Sequence, residues 1–234
     1  MAAASTRHIT VQEVDGVPGA LRLILDRPPA NAFDLRLYQE LGGVLRAIGA
    51  APPRCLEIGS ALPRFFSGGR DLKEPPTSPA DLPERHRAVT ELYRTLHGLE
   101  CPTIAIVEGH ALGAGCVIAS LCDFRVATSA AAFGLPEVKA GSVGGARHLL
   151  RLLPHGVVRG MALSARPLPA ARAAALGMCD LVDDDQDPWA AADELAREVT
   201  AFDADTVARV KRALNDSEDA ALWDGFAIEL AAGT

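Results

Sequence analysis

Two glycine-rich segments contain the residues whose types and spacing best suit chemistry. The first, FFSGGRDLKE, spans residues 65–74, and the second, GHALGAGCVIASLCD, spans residues 109–123. Within the second, Gly113-Ala114-Gly115 lies between a predicted buried strand and a predicted helix. The first amides of a helix have no intrahelical acceptor, and the helix dipole makes that end positive. Such a segment can bind an anion or an oxyanion, although small residues there also let a helix and a strand pack closely.

The order of the predicted elements brings these two segments to one place. Each follows a strand, and the order strand, helix, strand predicts parallel β-α-β units. Two loops that follow consecutive parallel strands can direct two backbone amides at one oxygen, which is the geometry of an oxyanion hole. Glycines that serve only as turn residues are the alternative.

The apolar pattern predicts an α/β core followed by a mainly helical region. Strands are predicted at 9–14, 21–26, 55–58, 103–107 and 124–127, and helices after Asp34, over 84–99 and over 113–121. An exposed Pro-rich loop is predicted at 74–83. Beyond Gly144 we predict one short strand, at 180–182, and helices after Asp187, over 204–216 and over 218–231. The predicted organisation is an α/β core over residues 1–185 and a helical C-terminal region over residues 186–234.

Composition and charge exclude several classes of protein. The net charge of −7 argues against nucleic-acid binding, which needs clustered Lys and Arg. Five scattered Cys without a C-x-x-C pair indicate free thiols in a reducing compartment rather than disulfides or a zinc site. The N-terminus lacks the apolar run of a secretion signal, and no stretch is apolar enough to span a membrane. We therefore expect a cytoplasmic protein that binds neither nucleic acid nor membranes.

Four segments occur in the order found in the enoyl-CoA hydratase/isomerase (crotonase) family, which the chain resembles over nearly its whole length. They are DRPPANAFD (26–34), FFSGGRDLKE (65–74), VEGHALGAGCVIASLCDFRVA (107–127) and FGLPEVKAGSVGGARHLLRLLP (133–154). The resemblance implies an α/β spiral of repeated β-β-α turns with a helical C-terminal trimerisation region. It also implies a coenzyme A thioester as substrate, no permanently bound cofactor or metal, and a homotrimer or dimer of trimers.

The resemblance also implies individual site residues. The two oxyanion-hole amides of the family fall on Arg70 and Ala114, and its acid/base carboxylate falls on Glu137. The positions that would bind coenzyme A are Arg27, Ala30, Arg70, Asp71, Leu72 and Lys73. The alternatives are that Arg70 and Lys73 are ordinary surface charges and that Glu137 is a surface carboxylate.

Val117 stands where hydratases of this family carry a first catalytic Glu. Hydration of a conjugated double bond is served by two facing carboxylates, whereas moving a proton between the α and γ carbons needs one base and an oxyanion hole. The single carboxylate, Glu137, therefore favours double-bond isomerisation of an enoyl-CoA, with hydration as the second reaction. Thioester hydrolysis, decarboxylation or dehalogenation, and a catalytically silent acyl-CoA-binding subunit, are the alternatives.

Further departures from the family pattern affect the acyl pocket. The segment between Glu137 and Arg147 is shorter than the usual family loop, and so is the C-terminal region, whose last helix commonly helps to cover the ligand.

We expect His110 and His148 to pack or to face solvent rather than to act in catalysis. A carboxylate beside an apolar acyl pocket is expected to have a raised pKa, which suits proton exchange near neutral pH.

Overall fold

The computed structural model of the chain describes residues 5–74, 78 and 80–216. Within these ranges the strands are β1 (Ile9–Glu13), β2 (Ala20–Leu25), β3 (Cys55–Ser60), β4 (Phe65–Ser67), β5 (Thr103–Val107), β6 (His110–Leu112), β7 (Phe124–Ala127), β8 (Ala132–Gly134), β9 (Leu168–Pro169) and β10 (Asp180–Leu181). The helices are α1 (Leu35–Ala50), α2 (Leu82–His97), α3 (Ala114–Leu121), α4 (Ala146–Leu149), α5 (His155–Ser164), α6 (Ala170–Ala175), α7 (Pro188–Thr200) and α8 (204–216), with a 3₁₀ turn at Glu137–Ala140.

From β3 to β8, successive strands alternate between two sheets. One sheet has the order β1-β2-β3-β5-β7-β10, and the other has the order β4-β6-β8-β9. The strands β3, β5 and β7 of the first sheet are each followed by a strand of the second, and neighbours in this series pair in parallel. Helices α2 and α3 complete the first two of these turns. The fold is therefore the α/β spiral of β-β-α turns that the motifs predicted.

The predicted elements of the first sheet are confirmed, whereas the second sheet was missed. Its strands β4, β6, β8 and β9 have three residues or fewer, which is too short for a period of two to be visible. The prediction of a single strand after Gly144 was wrong, because this part of the chain forms β9, which pairs with β8, in addition to β10. The helix predicted over 218–231 and residues 75–77 and 79 of the predicted Pro-rich loop lie outside the described residues.

Helix α1 shows how the local sequence signals act. The Asp34 Oδ1 atom accepts a hydrogen bond from the Leu37 amide at 2.8 Å, so this side chain caps the helix as predicted. The predicted apolar face is buried and consists of Leu37, Leu41, Val44, Leu45 and Ile48. This face and α2 cover one side of the first sheet, where most of the large aliphatic core lies. Helix α1 thereby fixes the loop that precedes it at the sheet edge.

The other side of the first sheet is covered by α7. A smaller apolar cluster there joins Val126 of β7 to Ala192 and Ala196 of the helix. A β-carbon built on Gly59 of β3 would lie 2.3 Å from the Trp189 ring, so the close packing of α7 requires glycine at this position. The first helix of the predicted C-terminal region is thus part of the core packing.

All five cysteines are buried and free. No helix within the described part of the chain is both long and apolar enough to cross a membrane.

Candidate active site

The two glycine-rich loops are in contact. Strands β4 and β6 run in parallel, with Phe65 opposite His110, so the loops at their carboxyl ends are neighbours. A β-carbon built on Gly69 would lie 2.8 Å from the Leu112 carbonyl oxygen and 3.3 Å from the Gly113 α-carbon. Gly69 also has a φ of +86°, a conformation that favours glycine. The amides of Arg70 and Ala114 therefore belong to adjoining loops, and Ala114 is the first residue of α3.

Asn31 holds the 27–34 loop against the sheet. This residue is fully buried and has a φ of +48°. Its Oδ1 accepts a hydrogen bond from the Arg27 amide at 2.6 Å, while its Nδ2 donates to Ser60 Oγ at 2.7 Å and to the Phe66 carbonyl at 3.1 Å. Because this one side chain bonds to Arg27, to β3 and to β4, the loop has a fixed position beside β4. Asn31 was not among the predicted site residues, although Asn is one of the residues that tolerate a positive φ.

Ser67 positions the first glycine-rich loop. Its hydroxyl is fully buried, donates to the Asn31 carbonyl at 2.7 Å and accepts from the Gly69 amide at 3.1 Å. A β-carbon built on Gly115 would lie 2.6 Å from the Ser67 β-carbon, so α3 begins directly against β4. The small residues of the second loop are therefore needed for this packing, as well as for any role in binding.

The guanidinium group of Arg27 joins two predicted coenzyme-binding loops. It donates to Asp71 Oδ2 at 3.0 Å, to Asp34 Oδ2 at 2.9 Å and to the Ala32 carbonyl. Burial acts to raise the pKa of Asp71, but bonds from the Lys73 amide and from Arg27 outweigh it, so this pKa is lowered. Arg27 thus fixes the position of Asp71, and its charge is shared between two carboxylates.

The remaining predicted coenzyme-binding residues lie along the same edge. The Ala30 carbonyl accepts a hydrogen bond from the Gly68 amide at 2.7 Å, which joins the 27–34 loop to the first glycine-rich loop. The side chains of Arg70, Leu72 and Lys73 are exposed, Leu72 to 74%. This edge presents two cationic side chains and one apolar side chain beside the paired glycine loops.

Glu137 reaches into the second glycine-rich loop. It begins the 3₁₀ turn after β8 and is half-buried. Its Oε1 atom lies 3.2 Å from the position of a β-carbon built on Gly113 and 3.6 Å from one built on Gly145. Burial is the main cause of the raised pKa of the Cys116 thiol on α3, and the charge of Glu137 raises this pKa as well. The carboxylate therefore faces the start of α3 and not only solvent.

Val117 makes the side of the site next to Gly145 apolar. Its side chain is 2% exposed, and its Cγ2 atom lies 3.0 Å from a β-carbon built on Gly145. The Leu135 side chain lies 3.1 Å from the same point. The position at which hydratases of the resembled family carry a carboxylate is therefore a packed aliphatic contact.

A cluster of tyrosines and charges below these loops was missed by the sequence analysis. Tyr38 and Tyr93, the only tyrosines in the chain, are buried and hydrogen-bonded to each other. Burial raises the pKa of Tyr38 to about 12, Arg85 and Arg70 act to lower it, and Glu137 acts to raise it. Each tyrosine lies on the apolar face of its helix, so periodicity marks it only as a core residue.

The two histidines in this region lie in different environments. His148 is fully buried, with its ring edge-on to Tyr93 at 5.5 Å between centroids. Burial lowers the pKa of His148 to about 3, so its ring is neutral near physiological pH. His110 lies on β6 with an exposed side chain. Among the described residues, no group of three or more His, Cys, Asp or Glu side chains is arranged to hold a metal ion.

A spiral of β-β-α turns with two touching glycine loops and a carboxylate beside them defines the crotonase class of α/β proteins. The chain matches the enoyl-CoA hydratase/isomerase family over residues 18–232 and belongs to that family. In three dimensions it is similar to a crystal structure of an enoyl-CoA hydratase/isomerase from Mycobacterium paratuberculosis. That similarity has a TM-score of 0.87 and 28% identity, and it covers 97% of this chain and 92% of the other.

Two relatives have names that specify a reaction. The chain is 34% identical over 221 residues to the 2,3-dehydroadipyl-CoA hydratase of Escherichia coli, which covers 89% of this chain and 83% of the relative. The second relative is the (7aS)-7a-methyl-1,5-dioxo-2,3,5,6,7,7a-hexahydro-1H-indene-carboxyl-CoA hydrolase of Mycobacterium tuberculosis. The chain is 32% identical to it over 201 residues, and the match covers 85% of this chain and 81% of the relative. Because the two are named for different reactions, the reaction of this chain has to be argued from its site.

Proposed function

We propose that this protein binds a coenzyme A thioester and moves a proton on the acyl chain through an enolate. In this proposal the amides of Arg70 and Ala114 hold the thioester oxygen, and Glu137 is the acid/base. The observation that carries the proposal is the position of the Glu137 Oε1 atom, 3.2 Å from a β-carbon built on Gly113, while Gly113 itself adjoins Gly69. A base and two amide-bearing loops are thereby within one small region.

Isomerisation would proceed with a single carboxylate. Glu137 removes a proton from one carbon of the enoyl group, and the electron pair moves toward the thioester oxygen, where the two amides stabilise the negative charge. The protonated Glu137 then returns the proton to the other end of the conjugated system. The double bond moves, no water is consumed, and the carboxylate ends in its starting state.

Hydration is the second candidate, and the relative named as a hydratase favours it. In that reaction one group activates water and another delivers a proton to the α-carbon. Val117 and Leu135, which both lie against Gly145, are aliphatic and cannot act as that second group. We therefore rank isomerisation first. Thioester hydrolysis, for which the other relative is named, and a silent acyl-CoA-binding subunit remain the alternatives.

Coenzyme A would bind along the edge formed by the 27–30 and 70–73 segments. In this proposal Arg70 and Lys73 offer exposed cations to the phosphates, and Leu72 lies against an apolar part of the coenzyme. Arg27 acts through its ion pair with Asp71, which holds the two segments together, while its pair with Asp34 holds it against the start of α1. Its predicted contact with the coenzyme is thus replaced here by a positioning role.

We also propose a homotrimer or a dimer of trimers as the native particle. Three large apolar side chains of the C-terminal half, Leu163, Leu181 and Phe202, are 70%, 41% and 65% exposed in the single chain. Exposed apolar surface of this kind is often buried by association. Light scattering at micromolar concentration tests the assembly, and a monodisperse monomer would contradict it.

The reaction is tested by incubating the protein with a panel of 2-enoyl- and 3-enoyl-CoA thioesters and analysing the products by mass spectrometry. Isomerisation leaves the mass unchanged and shifts the double bond, hydration adds one water, and hydrolysis releases free coenzyme A. No product from any thioester would support the silent-subunit alternative. The variant Glu137→Gln should remove turnover, whereas Lys139→Gln, a change of an exposed charge on the same 3₁₀ turn, should retain it.

A further inference from the structure

Arg85 is a buried cation, and one nitrogen of its guanidinium group makes no hydrogen bond to the described residues. The residue lies on α2 and is 8% exposed. Its Nη1 atom is paired with Glu74 Oε2, and its guanidinium carbon lies 5.8 Å from the centre of the Tyr38 ring. Its Nη2 atom is buried and has no hydrogen-bond partner among the described residues. A buried donor without an acceptor is costly, and more so on a charged group.

Both oxygens of Glu74 already accept a hydrogen bond, and neither accepts one from Arg85 Nη2. Its Oε1 atom accepts from the Leu35 amide at 3.0 Å, and its Oε2 atom accepts from Arg85 Nη1. One carboxylate therefore bridges the start of α1 and the guanidinium group. The ion pair explains why Arg85 is charged in a buried position, but it leaves Nη2 unexplained.

Arg85 is connected to the proposed active site through two aromatic rings. The Phe33 amide donates to the Gly69 carbonyl at 2.7 Å, so Phe33 lies directly beneath the first glycine-rich loop. The Tyr38 ring packs on Phe33 with 4.9 Å between centroids, and the guanidinium group lies over the Tyr38 ring. The rings of Tyr38 and Phe33 thus link Arg85 to the first glycine-rich loop.

The electrostatic surroundings of Tyr38 agree with this placement. Burial is the largest influence on the Tyr38 hydroxyl and raises its pKa, and the charge of Arg85, which lowers it, is the next largest. Weaker influences come from Glu137, which raises this pKa, and from Arg70, which lowers it. The charges of Arg85 and of the proposed acid/base therefore both act on this hydroxyl.

We propose that Arg85 Nη2 binds a carboxylate at the end of the acyl group remote from the thioester. This inference rests on the proposed function, because it places the thioester at the paired loops and the acyl chain toward Tyr38. A guanidinium group forms strong charge-assisted bonds to carboxylates and keeps its charge when buried. The substrates of the site are then acyl-CoA thioesters with a distal carboxylate, and Arg85 determines that specificity.

The test uses saturated, unreactive thioesters, so it does not depend on turnover. Three pairs differ only in a terminal methyl or carboxylate: butyryl-CoA and succinyl-CoA, hexanoyl-CoA and adipyl-CoA, and octanoyl-CoA and suberyl-CoA. Calorimetric titration of the whole protein should give tighter binding of the carboxylate in at least one pair. The variant Arg85→Met should reduce that preference by about 30-fold or more, because removing one partner of a buried charge pair has an effect of this size.

Two further variants separate specificity from a structural role. Arg85→Lys retains a charge and should keep part of the preference, and Glu74→Gln removes the ion pair while leaving the guanidinium group in place, so it should keep the preference. Equal binding within every pair would overturn the proposal, and so would an equal loss for both members of a pair in Arg85→Met. Failure of every thioester to bind would instead contradict the proposed function, and this inference with it.

Discussion

The carboxylate of Glu137 lies against Gly113: its Oε1 atom is 3.2 Å from the position that a β-carbon on Gly113 would occupy. The two residues are 24 positions apart in the chain, and they meet because β6 and β8 are neighbours in the second sheet. Gly113 thus serves two purposes, since its positive φ turns the chain into α3 and its lack of a side chain admits the carboxylate.

Gly113→Ala is expected to reduce turnover by about 10²-fold, because the new β-carbon displaces the Glu137 carboxylate from the reacting carbon. Its φ of 51° and ψ of −118° are also unfavourable for Ala, so the free energy of unfolding should fall. The matched control is Gly141→Ala, at a φ of +62° with open space around the β-carbon. That variant should lose some stability and keep its turnover. Equal activity in the two variants would contradict the role given to Gly113.

Val117→Glu is expected to create or raise hydratase activity, since it adds the carboxylate that would face Glu137 across Gly145. Val117→Gln has the same shape without the charge and should not hydrate, so the difference between the two isolates the carboxylate. Hydration of 2-enoyl-CoA is measured by loss of the conjugated thioester absorbance. If the unmodified protein already hydrates at rates typical of enzymes, the argument from a single carboxylate is wrong.

Much of this arrangement follows from the sequence, and the reasons differ from residue to residue. Asp34 and the apolar face of α1 are local signals, so the cap and the buried face were predicted correctly. The pairing of the two glycine loops followed from the order of elements. The positions of Arg85 and Tyr38 could not be predicted, because burial of a cation against an aromatic ring depends on how α2 packs on α1.

Arg27→Met is expected to weaken coenzyme A binding by about 10-fold, because the 27–30 and 70–73 segments lose the ion pair with Asp71 that joins them. Double ion pairing of a partly buried guanidinium group is worth more than an exposed pair. Arg36→Met removes an exposed arginine from a surface pair with Glu40 and should leave binding unchanged. Calorimetry with free coenzyme A measures both variants. An equal effect of the two substitutions would rule out the positioning role of Arg27.

Glu57 is expected to make stability depend on pH. Burial, together with the nearby Asp193, raises the pKa of this carboxyl to about 7, although Arg22 lies 2.7 Å away and acts to lower it. The folded-state pKa is above the unfolded value, so the contribution of Glu57 to stability is fully present below about pH 4.5 and is lost as pH rises through about 7. The loss is about 3 kcal/mol.

Urea unfolding of Glu57→Gln between pH 5 and 8 measures that dependence. The variant keeps an oxygen that can accept from Arg22 but cannot ionise, so its stability should fall less than that of the wild type over this range. Glu13→Gln changes an exposed carboxylate on β1 and serves as the control. Parallel curves for the wild type and Glu57→Gln would contradict the raised pKa.

The central claim is that Glu137 moves a proton on a thioester whose oxygen is held by the paired loops. Exchange of acyl-chain protons for deuterium, followed by mass spectrometry of an acyl-CoA incubated with the protein in D₂O, measures that step directly, whatever the final product. We predict that the wild type incorporates deuterium and that Glu137→Gln does so about 10²- to 10⁴-fold more slowly, while calorimetry shows unchanged binding. Exchange by Glu137→Gln at the wild-type rate would contradict the account.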